Sequence, residues 1–380
     1  MSFDLSEQQV MVQQMAKEFA EKELAPGAEE RDDKEQFPSE QVKMMGELGL
    51  LGMMVPEEWG GAGLDTVSYV LAMIEISKVD ASAGVIMSVN NSLVCWGLDH
   101  FGTQQQKEKY LRDLASGKII GAFCLSEPEA GSDATNQHTT AVRDGDHYIL
   151  NGTKNWITNG STAGVHLVMA STDRMKGHKG ISAFIVEKGT PGFHVAKKER
   201  KLGIRASDTV SIAFEDCRVP VENLIREEGY GIKFALATLD GGRIGIASQA
   251  VGIAEGSLDA ALKYSKERKA FNHPIFEFQG IQFKLAEMAT NLQAAKLLTL
   301  NAARLKDEHK PYGQASAMAK LFASRVAVEN ALEAIQIHGG YGYVREYHVE
   351  RFLRDAKITE IYEGTSEIQR VVIARSLLAK

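Results

Sequence analysis

The chain has 380 residues, of which 44% are hydrophobic and 24% charged, a composition typical of globular proteins and too apolar for wholesale disorder. Its 43 basic and 50 acidic side chains give a net charge of −7, which argues against a nucleic-acid-binding protein because binding the phosphate backbone needs clustered Lys and Arg. Three scattered cysteines do not support a disulfide framework or a zinc site, and the length predicts two or three domains.

The N-terminal residues and the hydropathy pattern lead to an expectation about location. The opening MSFDLSEQQ has no basic stretch followed by an apolar run, and nowhere do 18 apolar residues run together. We therefore expect neither a secretory signal nor a membrane span. The expected compartment is reducing: the cytoplasm, or the mitochondrial matrix if the source is eukaryotic.

Residues 1–118 are predicted to form an N-terminal α-helical domain. Ser6 and Gln9 have the spacing of a capping box, and apolar residues then recur every four positions from Met11 to Phe19. Glycines and a proline separate the further helical stretches, which lie around residues 38–51, 66–78, 83–99 and 103–115.

Residues 119–228 are predicted to form a middle β domain of sheet or barrel type, because the helical period disappears there. The dipeptides Asp144-Gly145, Asn151-Gly152 and Asn159-Gly160 are strong hairpin signals. Short runs of β-forming residues lie between and after these dipeptides, at 146–150, 165–171, 181–187 and 209–214.

Residues 229–380 are predicted to form a C-terminal bundle of four long helices. They are rich in Ala, Leu, Glu and Lys, and no proline follows Pro311. The predicted helices cover residues 233–267, 278–307, 312–338 and 366–379. The fold class expected for the whole chain is therefore α+β multidomain, with a helical, then a β, then a helical domain.

Common nucleotide, metal and hydrolase motifs are missing from the sequence. It has no G-x-G-x-x-G after a strand, no P-loop, no H-E-x-x-H and no G-x-S-x-G. The ten histidines do not pair at metal-ligand spacing. Nicotinamide chemistry, nucleotide hydrolysis, zinc chemistry and serine hydrolysis therefore lose their usual sequence support.

Two segments of the middle domain are candidates for ligand binding. Residues 123–133, FCLSEPEAGSD, predict an irregular loop whose backbone N–H groups and hydroxyls can hold a polar ligand; a plain interdomain loop is the alternative. In residues 155–160, NWITNG, strand alternation places Trp156 and Thr158 on one face. An aromatic plane beside a hydroxyl suits a flat heterocycle, and a buried core Trp is the alternative.

A third candidate segment, residues 358–368, has the sequence ITEIYEGTSEI. Its Glu363 lies between apolar residues and a Gly that precedes a helix N-cap at Thr365 or Ser366. Partial desolvation would raise the pKa of this carboxyl toward the range of a useful general base. A surface-loop glutamate is the alternative.

These segments resemble the acyl-CoA dehydrogenase family. The L-S-E-P-x-A-G-S-D loop, the W-I-T-N-G turn and the I-Y-E-G-T-S-E-I-Q-R segment occur in the order and at the separations found in that family. Arg268 and Phe271 in E-R-K-A-F, Gln279 in F-Q-G and the Q-I-H-G-G run at 336–340 agree as well. The resemblance covers essentially the whole chain.

The resemblance implies a flavoenzyme that oxidises a fatty acyl-CoA thioester to its trans-2-enoyl form. Glu363 would remove the pro-R proton from the α-carbon while a hydride passes from the β-carbon to flavin N5. The backbone N–H of Glu363 and a ribityl hydroxyl of FAD would stabilise the charge that develops on the thioester oxygen. Electrons would then pass to electron transfer flavoprotein.

The resemblance also assigns the binding residues and the assembly. FAD would be bound by Phe123, Cys124, Leu125, Ser126, Glu127, Gly131, Ser132, Trp156, Ile157, Thr158, Arg268, Phe271, Gln279, Gln336, Ile337, His338, Gly339, Gly340, Thr365, Ser366 and Glu367. Substrate would be bound by Ser132, Asp240, Gly241, Gly242, Arg243 and Gly364. The expected assembly is a homotetramer, a dimer of dimers, in which Arg268, Gln279 and residues 336–340 serve the FAD of a neighbouring subunit.

Residues 239–243, LDGGR, favour the short- or medium-chain type of the family. Isovaleryl- and long-chain-type members resemble L-D-x-E-R, where the Glu is the base, whereas this chain has Gly242 there and keeps Glu363. Glutaryl-type members carry an Arg in the first helical domain, where this chain has Gly84. We expect short straight-chain substrates such as butyryl-CoA. Medium-chain or short branched-chain acyl groups are alternatives, as is a catalytically silent acyl-CoA-binding homologue.

Overall fold

The computed structural model describes residues 4–379, and its N-terminal part is helical. The predicted capping box is confirmed at α1, where Ser6 Oγ accepts from Gln9 N and Gln9 Oε1 accepts from Ser6 N. The α-helices here are α1 (Glu7–Phe19), α2 (Ala28–Lys34), α3 (Ser39–Glu47), α4 (Thr66–Val79), α5 (Ala81–Ser88), α6 (Trp96–Phe101), α7 (Gln104–Gln106) and α8 (Arg112–Ala115). They are extended by π-helical segments at Ala20–Leu24, Val89–Cys95 and Lys107–Leu111.

One continuous helical stretch, Ala81–Phe101, combines α5, a π-helical segment and α6. Among the described residues it alone is long and apolar enough to cross a membrane, but 94% of its apolar window is buried inside the protein. A helix that is apolar all round and covered on all sides is typical of a core helix. Asp80 caps the N-terminus of the stretch, where its carboxylate accepts from the backbone N–H groups of Ser82 and Ala83.

The middle part forms one mixed sheet. Its strands are β1 (Gly121–Cys124), β2 (Thr140–Asp144), β3 (His147–Thr158), β4 (Val165–Ser171), β5 (Ile181–Glu187), β6 (Phe193–Lys198), β7 (Thr209–Pro220) and β8 (Leu224–Ile225). The strand order is β6-β7-β3-β2-β4-β5-β8, and β1 pairs in parallel with β4. The predicted runs 165–171 and 181–187 coincide with β4 and β5 because each is a continuous apolar stretch.

Of the three predicted hairpin dipeptides, two are wrong. Asp144-Gly145 makes the hairpin turn between β2 and β3. Asn159-Gly160 makes a turn after β3, with Asn159 at φ +62°, but the next strand, β4, does not pair with β3. Asn151-Gly152, in contrast, lies inside β3, where the pairing with β7 shifts register. Glycine is required there for close approach, since a Cβ at Gly152 would lie 2.6 Å from Thr139 Cα.

The C-terminal part contains the four predicted helices and a fifth that was not predicted. They are α9 (Gly231–Glu267), α10 (Gln279–Asp307), α11 (Gly313–His338), α12 (Val349–Thr359) and α13 (Ser366–Leu378), and a two-stranded hairpin of β9 (Lys269–Ala270) and β10 (His273–Pro274) follows α9. The missed helix α12 is short and has five charged residues among its 11, but Val349, Ala356 and Thr359 recur at helical spacing on its buried face. The predicted helical, β, helical fold class is confirmed.

A shared hydrophobic core joins the three parts. Leu93 from the helical part, Leu167 from the sheet and Ile244 from α9 belong to the same buried cluster. Helix α9 is buried along most of its length because it packs against α4 as well as against α10 and α11. This arrangement brings residues that are distant in sequence to one junction.

Candidate active site

Glu363 lies at this junction, in the turn between α12 and α13. Both of its carboxylate oxygens are buried without a hydrogen-bond partner among the described residues. Burial raises the pKa of the Glu363 carboxyl to about 7, against the smaller opposing effects of the Lys320 and Arg243 cations. The expectation of a desolvated carboxylate is met, and the alternative of a surface-loop glutamate is wrong.

The carboxylate faces a cavity of about 200 Å³. Residues from all three parts line it: Val85, Val89, Leu93, Phe123, Leu125, Ser126, Gly131, Ser132, Ala134, Trp156, Ile157, Thr158, Leu236, Leu239, Arg243, Tyr362, Glu363, Gly364 and Ile368. The fold therefore brings the three candidate segments, 123–133, 155–160 and 358–368, to one place. A mostly apolar lining with a few convergent polar groups is typical of a small-molecule site.

Trp156 is exposed to this cavity instead of being a core residue. It is 57% exposed and has φ +57°, in a bulge where the pairing of β3 with β7 shifts register between Lys154 and Ile157. The alternation of side chains along a regular strand therefore does not explain why Trp156 and Thr158 lie together. Trp156 and Thr158 nevertheless line the same cavity, and both also line a second cavity of about 280 Å³ next to it.

A buried ion pair holds the loop at 123–132 in place. Lys154 Nζ donates to Glu127 Oε1 at 2.7 Å and to the carbonyl oxygen of Leu125 at 3.2 Å. The side chains of Glu127 and Cys124 are buried away from the cavity, the latter in the core of the sheet. The assignment of Cys124 and Glu127 as FAD-binding residues stays a prediction: neither residue lines the cavity, the Glu127 side chain supports the loop, and Ser126 and Ser132 are lining residues.

The remaining candidate residues lie in other places. Arg268, Ile337, His338, Gly339 and Gly340 line a separate cavity of about 550 Å³, whereas Thr365, Ser366 and Glu367 line one of about 700 Å³. These two cavities share no lining residue with the one at Glu363. Other candidates are exposed at the surface and lie outside these linings: Phe271, Gln279 and Gln336.

The 239–243 segment forms one wall of the cavity at Glu363. Gly242 packs directly against the carboxylate, because a Cβ there would overlap Glu363 Oε2 and would lie 2.8 Å from Leu93 Cδ2. Arg243 lines the cavity and forms an ion pair with Asp240, whereas Gly241 faces Lys306. Gly242, the position at which isovaleryl- and long-chain-type members are expected to carry the alternative glutamate, is thus adjacent to the Glu363 carboxylate.

Lys320, which supports the site, was missed by the sequence analysis. Lys320 Nζ donates to the carbonyl oxygen of Gly364 at 2.6 Å, although Lys320 lies on the buried face of α11. The sequence does indicate that Lys320 lies on a buried helix face, because small residues surround it at helical spacing: Ser316, Ala323, Ser324 and Ala327. A lysine on such a face needs a buried partner.

The site fits a flavin. A half-exposed indole beside the Ser126 and Thr158 hydroxyls, in a cleft shared by two cavities, suits a flat heterocycle with polar edges. The separate cavity at Arg268 suits an anion, since a guanidinium lies there beside the open backbone of Gly339 and Gly340.

Comparisons with known proteins agree with this interpretation. Three sequence profiles match the chain: the acyl-CoA dehydrogenase N-terminal domain at residues 6–118, the middle domain at 122–217 and the C-terminal domain at 229–378. The short-chain specific acyl-CoA dehydrogenase of Mus musculus mitochondria is 57% identical over 377 residues, covering 99% of this chain and 92% of the relative.

Two solved structures have the same fold over the full length of both chains. Butyryl-CoA dehydrogenase from Megasphaera elsdenii is 48% identical, with a TM-score of 0.98. A chain from the work on the electron transferring flavoprotein of Acidaminococcus fermentans and flavin-based electron bifurcation is 54% identical, with a TM-score of 0.99. The chain therefore belongs to the acyl-CoA dehydrogenase family, FAD-dependent oxidoreductases that dehydrogenate acyl-CoA thioesters.

Proposed function

We propose that this protein converts short straight-chain acyl-CoA thioesters, butyryl-CoA foremost, to their trans-2-enoyl forms with Glu363 as the base. The observation that carries the proposal is the buried, unpartnered carboxylate of Glu363 at the cavity. A carboxylate without hydrogen-bond partners keeps its lone pairs for a substrate proton, and its raised pKa suits it to general-base chemistry near neutral pH.

Each part of the cavity has a role in this proposal. Glu363 takes the α-proton of the thioester, and its backbone N–H donates to the carbonyl oxygen as negative charge develops. The apolar side chains of Val89 and Leu93 keep water away from the carboxylate. Trp156 and Thr158 would hold the ring of FAD, which, when bound, accepts the hydrogen and two electrons from the β-carbon.

The pH dependence of the reaction tests the state of Glu363. The base must be unprotonated, so kcat/KM for butyryl-CoA should rise with pH and level off above about 7. At pH 6 it should be about tenfold below the plateau. The measurement is the initial rate of flavin reduction at subsaturating butyryl-CoA between pH 5 and 9. A flat profile across this range would contradict a base with a raised pKa.

The packing of the cavity wall near Glu363 supports the proposal of short acyl chains. Val85 and Val89 line one side, and Tyr362 lines another, where its hydroxyl donates to buried Gln249. Extending an acyl chain into such packing costs about 1–3 kcal/mol. Gly84, the position at which glutaryl-type members are expected to carry an Arg, packs against Ser77, and the neighbouring Val85 lines the cavity.

Substrate preference should follow from this packing. We expect kcat/KM for butyryl-CoA to exceed that for octanoyl-CoA by at least about tenfold. Anaerobic titration of the purified protein with acyl-CoAs of increasing length, followed by loss of the oxidised-flavin absorbance, measures this. A preference for octanoyl-CoA would favour the medium-chain alternative, and one for isobutyryl-CoA the branched-chain alternative. Flavin that no acyl-CoA bleaches would indicate a catalytically silent homologue.

Electron acceptor, assembly and domain boundaries complete the proposal. Electron transfer flavoprotein is the proposed acceptor, supported by the similarity to the chain from the Acidaminococcus fermentans work. A homotetramer is supported by the separation of the Arg268 cavity from the cavity at Glu363 within one chain, since a neighbouring subunit would unite them. The proposed domains are residues 1–118, 119–228 and 229–380. Sedimentation of the FAD-loaded protein tests the tetramer.

A further inference from the structure

The turn that carries Glu363 is held from behind by two side chains. Lys320 Nζ donates to the carbonyl oxygen of Gly364 at 2.6 Å, and Gln369 Nε2 donates to the same oxygen at 2.8 Å. Gln369 Nε2 also lies 3.4 Å from the carbonyl oxygen of Glu363. Both side chains are fully buried, Lys320 on α11 and Gln369 on α13. Two separate helices thus fix the backbone next to the carboxylate.

This turn needs such support because its backbone conformation is unfavourable. Glu363 has φ +52° and Gly364 has φ +95°, both in the left-handed region. For a glutamate this region costs about 1–2 kcal/mol, so the turn persists only where its surroundings hold it. The direction of the Glu363 side chain depends on this φ. Donors that fix the carbonyl of Gly364 therefore also fix the direction of the carboxylate.

Lys320 adds a charge to this support. Its ammonium is the cation with the larger stabilising effect on the Glu363 carboxylate, ahead of Arg243 on α9. The other ionisable groups that face Glu363 are the hydroxyls of Tyr362 and of Tyr69 on α4. Lys320 itself also faces Glu360 and Glu367, and burial lowers the pKa of its ammonium to about 8. The cation thus favours the ionised form of the carboxylate.

We propose that Lys320, together with Gln369, is a positioning residue for proton abstraction, aiming the Glu363 carboxylate through the Gly364 carbonyl and holding it in its ionised form. This inference rests on the proposed role of Glu363 as the base. Lys320 does not line the cavity and is not expected to touch substrate.

Lys320→Met and Gln369→Leu test the two parts of the inference. Lys320→Met removes a donor and a charge with little change in length, so we expect kcat to fall about 10–100-fold while KM for butyryl-CoA changes less than about threefold. The inflection of its kcat/KM profile should move to higher pH, since the carboxylate loses the cation that stabilises it most. Gln369→Leu removes only a donor and should lower kcat without moving the inflection.

Rates are measured per bound flavin, so that partial loss of folded protein does not imitate the effect. The matched control is Lys263→Met, which changes an exposed lysine of α9 and should behave as the parent. A parental kcat and inflection in Lys320→Met would overturn the inference. If that variant retains no flavin, a parental kcat in Gln369→Leu would overturn it instead. Parental turnover in Glu363→Gln, measured alongside, would reject the proposed function rather than this inference.

Discussion

Replacing Glu363 with glutamine is expected to slow flavin reduction by butyryl-CoA about 10²–10⁴-fold, the usual contribution of a general base. The amide has the size of the carboxyl group but cannot take a proton. The two carboxylate oxygens have no hydrogen-bond partner among the described residues, so the substitution breaks no such bond. It also removes a charge from a buried position. The folded protein should therefore persist, still bind FAD and still bind the thioester.

The measurement is the decay of oxidised-flavin absorbance after anaerobic mixing with butyryl-CoA. Glu215→Gln is a suitable control because Glu215 is an exposed glutamate on β7, far in sequence from the cavity segments. It should reduce its flavin at the parental rate. If Glu363→Gln matched that rate, the base would have to be assigned to another group. A loss of bound flavin in Glu363→Gln alone would mean that this carboxyl supports the cofactor instead.

The fold was largely predictable from local pattern, and the errors have physical causes. Residues 165–171 and 181–187 were predicted to the residue because a buried strand is a continuous apolar run between turns. Asn151-Gly152 gives the same local signal as a hairpin, but its glycine serves a close approach to Thr139. That contact is made across the sheet and cannot be read from neighbouring residues.

Some features of the site were also predictable from the sequence and others were not. The burial of Glu363 was predictable because it lies between apolar residues and a Gly that precedes a helix N-cap. The residues around Glu363 were not predictable, because Lys320 and Gly242 come close to the turn only after α11 and α9 pack against it. The direction of the Glu127 side chain was not predictable either: it lies inside a recognised loop, yet its carboxylate pairs with Lys154 on β3 in the interior. The sequence pattern thus predicts which side chains are buried better than it predicts where those side chains point.

Substituting alanine for Gly242 should lower kcat about 10²-fold, the second largest effect expected for a single change. The added Cβ would overlap Glu363 Oε2 and would lie 2.8 Å from Leu93 Cδ2, so the carboxylate must move. A misplacement of about 1 Å in a catalytic group is enough for a loss of this size. Folding should not suffer, since alanine is favoured over glycine inside a helix by about 1 kcal/mol.

Gly241→Ala is the matched control, because it makes the same change one residue earlier in α9. Its Cβ would lie 3.4 Å from Lys306 Nζ and 3.9 Å from Tyr312 Oη, distances that need little or no movement. We expect its kcat to stay within about threefold of the parental value. Single-turnover flavin reduction by butyryl-CoA, compared between the two variants, separates displacement of the carboxylate from any general effect of alanine in this helix. Equal rates would mean that the carboxylate does not react from its position against Gly242.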